Sequence, residues 1–289
     1  MRATLFHNPG AGDETHSAAQ LAGPLRASGL ALRLCEARGD SLRDGLRQPM
    51  DLAIIAGGDG TVGRIAPALA GRGVALAVLP CGTANNLARA LGPWSSVEAL
   101  AEGWRQAPRR TLNLAYAEGP FGRQPFLEAA GFGAFARAID RADEKGLKGI
   151  EAGRAAFRAI LANTAPQRVA LRIDGAAWEG ETLLLEVMNI PLFGPNLRLA
   201  PGAAPDDGAL DLVLLPPERR GALLDWLDAP EREDAPVLLR RGREIRIDWP
   251  GGPVRLDDTP LTEEAMTVTL GLEERVLPTL VPQALERVA

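Results

Sequence analysis

Twice in close succession this chain runs from a short apolar stretch into glycines and a threonine, and then into a helical segment. The first passage is Leu52-Ala53-Ile54-Ile55-Ala56 followed by Gly57-Gly58-Asp59-Gly60-Thr61. The second is Val74 to Leu79 followed by Pro80-Cys81-Gly82-Thr83-Ala84-Asn85-Asn86. Apolar runs of this length bounded by turn residues read as buried strands. Strands that alternate with helices pair in parallel and form a layered sheet. Both loops then fall on the same edge of that sheet, the edge where ligands bind. Glycines there tolerate positive φ and let a ligand approach the backbone. A helix starting near Thr61 aims its unpaired N–H groups and the positive end of its dipole at the same place. The expected ligand is an anion, above all a nucleotide phosphate. Asp59 fits beside phosphate when a cation such as Mg²⁺ stands between them.

The rest of the first part of the chain agrees with this pattern. Ala3 to His7 reads as a strand, broken by Asn8-Pro9-Gly10-Ala11-Gly12. Asp13 or Thr15 is placed to cap the next helix, which Pro24 kinks or ends. A strand follows over Ala31 to Cys35, then a short helix to Gln48 capped by Asp40 or Ser41. The helix from Thr61 carries Pro67, as a kink or a stop, and Asn85 or Asn86 can cap the helix that continues over Leu87 to Leu91. Asn8 sits on the ligand edge too, either as an Asx turn before Pro9 or as a ligand contact.

From about Asn113 the character changes. Short strand-like runs dominate: 112–117, 126–130, 169–173, 183–188, 210–215, 244–248, 254–256 and 266–270. Helical stretches interrupt them at Phe135–Glu144, Gly149–Asn163 and Arg219–Leu227. The expected architecture is an α/β N-terminal domain with a parallel layered sheet, residues 1–112, plus a mainly antiparallel β-sandwich second domain, residues 113–277. The tail 278–289 is expected to return to the first domain.

Several function classes are excluded or weakened. A net charge of −5 argues against a general nucleic-acid binder. Two cysteines, Cys35 and Cys81, are too few for a disulfide framework or a cysteine zinc site. His7 and His16, the only histidines, assemble neither a Ser-His-Asp triad nor a zinc site. No apolar stretch is long enough to span a bilayer and the N-terminus reads as a strand, so the expected location is cytoplasmic, with peripheral membrane contact left open. The first glycine loop lacks the lysine-plus-hydroxyl ending of a P-loop, and its position and spacing differ from the dinucleotide fingerprint. Asp206, Asp207 and Asp211 read equally as a solvated turn around Gly208 or as a site for a hard cation. Arg141, Lys145, Lys148 and Arg154 form a basic stretch, either a solvated helix face or a contact with anionic lipid. Oligomeric state is not legible.

Asn8-Pro9, Gly57-Gly58-Asp59-Gly60-Thr61 and Leu79-Pro80-Cys81-Gly82-Thr83-Ala84-Asn85-Asn86-Leu87-Ala88-Arg89 together resemble the diacylglycerol kinase catalytic domain, in particular the soluble bacterial lipid kinases related to sphingosine kinases. The resemblance covers nearly the whole chain. It implies ATP-dependent transfer of the γ-phosphoryl group to a lipid hydroxyl such as that of diacylglycerol, with a membrane-derived lipid as partner. Asn8, Gly57, Gly58, Asp59, Gly60, Thr61, Gly82, Thr83 and Asn85 would bind ATP, with Asp59 helping to place Mg²⁺. Pro205-Asp206-Asp207-Gly208-Ala209-Leu210-Asp211 resembles the family's second-domain signature, which implies a structural Mg²⁺ on Asp206, Asp207 and Asp211.

One segment departs from the family. Where the family carries Asp-Gly-Glu, this chain reads Asp257-Asp258-Thr259. Thr259 replaces the glutamate that the resemblance implies as base on the lipid hydroxyl. Asp258 is the adjacent carboxylate and takes that role in the leading reading, with Glu263 and Glu264 as more distant substitutes. The segment Ala130 to Phe135 also lacks an aspartate that often follows its glycines. Two alternatives follow: a catalytically impaired homologue that binds nucleotide or lipid, and an NAD kinase, which shares the Gly-Gly-Asp-Gly-Thr loop.

Overall fold

Ile54 and Ile55 are adjacent and both fully buried. Consecutive strand residues point to opposite faces, so the sheet that holds them must be covered on both sides. The structure, a computed structural model, describes residues 1–11, 17–138 and 149–283 and divides the chain into two units. One comprises Met1–Leu112 with Arg275–Ala289, and the other Asn113–Glu274. Asp13, Thr15, His16, Arg141, Lys145 and Lys148 lie outside the described residues, as do part of the expected 135–144 helix and the tail beyond 283.

In the first unit β3 (Leu52–Gly57) lies between β1 (Arg2–His7) and β4 (Ala75–Pro80), parallel to both. Leu5, Ile54 and Ala77 stand side by side in this register. β2 (Ala31–Glu36) extends the sheet beyond β1, and the end of β16 (Met266–Leu280) brings Thr279 beside Leu76. One face packs on α1 (Ala18–Ala27) and α5 (Val97–Gly103), through Leu21, Leu25, Leu100 and Trp104. α3 (Asp59–Leu69) packs against β3 and α2 (Gly39–Arg47). It buries Val62, Ile65, Ala66 and Leu69, one stripe at helical spacing. Burying a side chain of this size contributes roughly 1.5–3 kcal/mol.

Some expected boundaries are corrected. Ser17 caps α1, in a capping box with Gln20. Pro24 neither ends α1 nor sets its limit, because Leu21, Ala22 and Leu25 are buried on both sides of it. Neither Asp40 nor Ser41 caps α2, which begins after Arg38 with no side-chain cap; the Ser41 hydroxyl instead accepts the Glu36 N–H at 3.0 Å. α3 starts at Asp59 rather than Thr61.

The second unit holds a six-stranded sheet in the order β12 (Leu238–Gly242), β11 (Leu210–Leu214), β10 (Leu184–Met188), β7 (Ala129–Gly133), β14 (Val254–Leu256), β15 (Thr259–Thr262). Every neighbouring pair in it is antiparallel. Against it stand β9 (Ala176–Thr182), β8 (Gln167–Ile173), β13 (Ile245–Trp249) and the first part of β16, with β5 (Arg109–Gly119) and β6 (Gly122–Phe126). Phe132, Leu185, Leu212, Ile247 and Val268 belong to the core they enclose. α6 (Ile150–Asn163) and α7 (Arg220–Trp226) share a further cluster with Phe135, Leu184 and Met188. This is the expected antiparallel β-sandwich. β9, β12 and β15 were not legible as strands because exposed polar residues interrupt their apolar pattern.

Candidate active site

The two glycine loops of the first unit meet backbone to backbone. A Cβ on Gly82 would stand 2.4 Å from the Gly58 Cα, and a Cβ on Gly58 would stand 3.1 Å from the Gly82 Cα. The Cys81 N–H donates to the Gly57 carbonyl at 3.1 Å, continuing the strand pairing into the loops. Gly57 is small for a different reason: a Cβ there would lie 2.7 Å from the Thr61 side chain. Gly58 ends α3 on the N-terminal side with no side-chain cap. Glycine backbone beside an uncapped helix start is the arrangement that receives phosphate oxygens.

Asp59 is the tie between the loops. Its Oδ2 accepts the Asn86 N–H and its Oδ1 the Leu87 N–H, both at 3.0 Å. It therefore caps α4 (Asn86–Leu91) from another loop. Asn85 does not cap this helix, contrary to one of the two readings above. It stands at φ 52° and closes on Gly82 instead, accepting the Gly82 N–H at 2.9 Å and donating to the Gly82 carbonyl at 2.6 Å. Asn8 forms the expected Asx turn and also reaches the first glycine loop. Its Oδ1 accepts the Gly10 N–H at 3.3 Å, an Asx turn, while its Nδ2 donates to the Thr61 hydroxyl at 3.0 Å. Thr61 is buried, so its hydroxyl holds Asn8, whereas Thr83 is exposed on the second loop. Burial pushes the Cys81 thiol up, which keeps it protonated rather than nucleophilic. Beside these loops, at the ends of β1 and β2, a pocket of about 530 Å³ is lined by His7, Pro9, Ser17, Ala18, Leu34, Cys35 and Glu36.

The donor set tolerates a cation with the phosphates. Asp59 supplies, beside the glycine loops, the carboxylate oxygens that a hard cation such as Mg²⁺ takes.

In the second unit, Asp257 and Asp258 form the turn between β14 and β15. Asp257 has φ 51°, and its carboxylate accepts the N–H groups of Leu127, Glu128 and Ala129 at 2.7–3.2 Å. Burial nevertheless raises its pKa to about 6, against the lowering effect of those three N–H groups. Asp258 is exposed at the tip, and Thr259 opens β15. Two buried carboxylates escaped the sequence reading. Glu128 follows the turn of β6 into β7, and Glu186 lies mid-strand in β10, fully buried and ion-paired to Arg255. A single polar residue within an apolar strand was the one signal of Glu186.

The structure does not gather Asp206, Asp207 and Asp211 into one donor set. Among the described residues no group of three or more His, Cys, Asp or Glu side chains is placed to hold a metal. Asp207 pairs with Arg241 at 2.5 Å and accepts the Ala209 N–H at 3.0 Å. Asp211 stands opposite Arg241 in the β11–β12 register. Burial raises its pKa, with Arg241 acting in the lowering direction. At this turn the Arg241 guanidinium supplies positive charge to Asp207.

Residues 2–117 match the family model described as diacylglycerol kinase catalytic domain, and residues 129–286 the one described as YegS C-terminal NAD kinase beta sandwich-like domain. The chain is 34% identical over 258 residues to a protein of Pseudomonas fluorescens named "Probable lipid kinase YegS-like", covering 84% of each. It is 30% identical over 178 residues to the diacylglycerol kinase of Bacillus subtilis, covering 57% of this chain and 55% of that protein. A diacylglycerol kinase crystal structure from Bacillus anthracis shares the fold, with a TM-score of 0.72 at 22% identity, over 97% of this chain and 96% of that one. The chain belongs to the YegS-like lipid kinases, within the diacylglycerol kinase catalytic domain family.

Proposed function

We propose that the protein transfers the γ-phosphoryl group of ATP to a lipid hydroxyl, with diacylglycerol as the first acceptor to test. The observation that carries this reading is the meeting of two glycine loops, backbone to backbone, at the uncapped N-terminus of α3. The phosphates of ATP lie along Gly57, Gly58, Gly60 and Gly82, with the adenosine toward the pocket at the ends of β1 and β2. Phosphoryl transfer depends mostly on positioning and charge neutralisation, and backbone donors supply both. Mg²⁺, when bound with ATP near Asp59, offsets phosphate charge. The acceptor oxygen forms its bond to Pγ as the bond from Pγ to the bridging oxygen of ADP breaks. The proton leaving the acceptor hydroxyl goes to the carboxylate of Asp258, which stands exposed at its turn. A lipid acceptor implies peripheral contact with a membrane surface on its cytoplasmic side; among the described residues no helix is long and apolar enough to cross one.

The test is ATP turnover against a panel of lipid vesicles containing diacylglycerol, monoacylglycerol, ceramide or phosphatidylglycerol. Lipid-dependent product supports the reading, and its absence across the panel at every pH overturns it. The match of residues 129–286 to an NAD kinase-like sandwich favours one second acceptor, NAD. NADP formation without any lipid product would replace the first reading.

A further inference from the structure

Glu186 and Arg255 are the most deeply buried ion pair among the described residues of the second unit, with side-chain exposures of 0% and 2%. Its strands β10 and β14 do not touch; β7 runs between them, with Gly131 opposite both residues in register. The two side chains meet over that glycine. A Cβ on Gly131 would stand 2.6 Å from Arg255 Nη2 and 2.7 Å from Glu186 Oε1. Gly131 has ordinary extended surroundings, so its smallness is explained by the ion pair that occupies its side-chain space.

Such a pair is weak evidence for stability. Removing two charges from water costs about as much as their attraction returns. Here it also leaves Glu186 Oε1 and Arg255 Nε without hydrogen-bond partners among the described residues. A well-packed apolar pair would hold the sheet at least as well. What an apolar pair would not do is reach the next turn. Arg255 Nη1 donates to the Asp257 carbonyl at 2.7 Å and lies 3.4 Å from the Ala129 carbonyl. Phe193 stacks on the guanidinium with its centroid 3.5 Å from Cζ, which fixes the plane of the fork. The Asp257 side chain is held from the other side by the N–H groups of Leu127, Glu128 and Ala129. The turn is thereby clamped at both its carboxylate and its main-chain carbonyl, and Asp258 is the residue it presents.

We propose that Arg255, oriented by Glu186 over Gly131, is a positioning residue that sets the Asp257–Asp258 turn, and through it the Asp258 carboxylate. The anchoring stands on the geometry alone; its effect on catalysis rests on the lipid kinase reading above.

The double variant Glu186→Met/Arg255→Met removes the clamp while keeping an apolar fill, and the expected thermal midpoint is close to that of the wild type. Hydrogen exchange at the amides of 257–259 is expected to accelerate while β10 stays protected. With the best lipid acceptor, kcat falls roughly 10–100-fold, as a displaced catalytic group requires, and the KM for ATP holds. Arg255→Lys serves if the double variant does not fold. It keeps a charge beside Glu186 but has no second arm for the Asp257 carbonyl, so the same exchange and kcat losses are expected. Unchanged exchange at 257–259, or an unchanged kcat in a variant with accelerated exchange, overturns the proposal. If the wild type phosphorylates no acceptor, the kinase reading fails by itself and the catalytic part of this proposal with it. The exchange rates then still decide whether Arg255 anchors the turn.

Discussion

Gly58 and Gly82 touch through their backbones, and a Cβ on Gly82 would lie 2.4 Å from the Gly58 Cα. Neither backbone can yield without moving the strand behind it. Gly82→Ala is therefore expected to destabilise the first unit by about 1–3 kcal/mol, the usual range for overpacking. It also pushes the two loops apart and weakens ATP. Calorimetric unfolding and ATP titration read the two effects, and an alanine variant with wild-type affinity would remove the phosphate cradle from the argument.

Asp59 is expected to matter twice. Its carboxylate caps α4, so Asp59→Ala should cost about 0.5–2 kcal/mol, as lost caps do. Asp59→Asn keeps one accepting oxygen but turns an amide toward the other N–H, so it should lose some stability too. If Asp59 also serves the nucleotide, both variants raise the Mg²⁺ concentration needed for half-maximal turnover. A shift in stability without any shift in Mg²⁺ dependence would confine Asp59 to the cap.

At the second turn, Asp258→Asn is expected to lower kcat by roughly 10²–10⁴, the range of a lost general base. Thr259→Glu places a carboxylate one residue further along, at the start of β15. A rise in kcat for Thr259→Glu, with Asp258→Asn silent, would show that the wild type works without an efficient base and that Asp258 is not it.

The pH dependence of stability has a definite sign. Burial raises Glu186 to about 7 and Asp257 to about 6, both above the ordinary carboxylate range. The folded protein thus holds protons that the unfolded chain gives up, so this contribution is complete below the unfolded pKa of about 4 and is lost as pH rises toward 7. Arg255 opposes the shift of Glu186, and Glu128 and Asp257 are the other charges around that guanidinium. The wild-type thermal midpoint is expected to fall relative to Glu186→Gln between pH 4.5 and 7. Parallel midpoints for the two proteins across that window would refute the shift at Glu186.

Metal removal is expected to be silent at the Asp206–Asp211 turn. Arg241 already supplies the positive charge between Asp207 and the cross-strand Asp211. EDTA should leave the wild-type thermal midpoint unchanged. Arg241→Ala should lower it, and added Mg²⁺ should recover part of the loss. A wild-type midpoint that drops in EDTA would restore a cation at this turn.

Much of this architecture was written locally. Leu52–Ala56 and Val74–Leu79 read as buried strands and the glycines that follow as loops, because length and punctuation are properties of neighbouring residues. Strand β9, with its exposed glutamates, carries no such signal and was invisible. The same limit explains the site. Asn8, Gly58 and Gly82 could be assigned to one sheet edge from their places after strands. That Asp59 caps the helix at Asn86, or that Asn85 turns back on Gly82, depends on which loop lies against which.

The sequence by itself determined an α/β unit followed by a β-sandwich, a pair of glycine loops on one sheet edge, and an Asp257-Asp258-Thr259 segment that departs from the family it resembles. Tertiary structure alone decided what the charged residues do. It turned Asp59 into a strut, paired Arg241 with Asp207, and joined Glu186 to Arg255 across the empty side-chain position of Gly131. The physical reason is range. Backbone conformation is set by residues a few positions apart, whereas a charge takes its role from the partners that folding brings to it from distant parts of the chain.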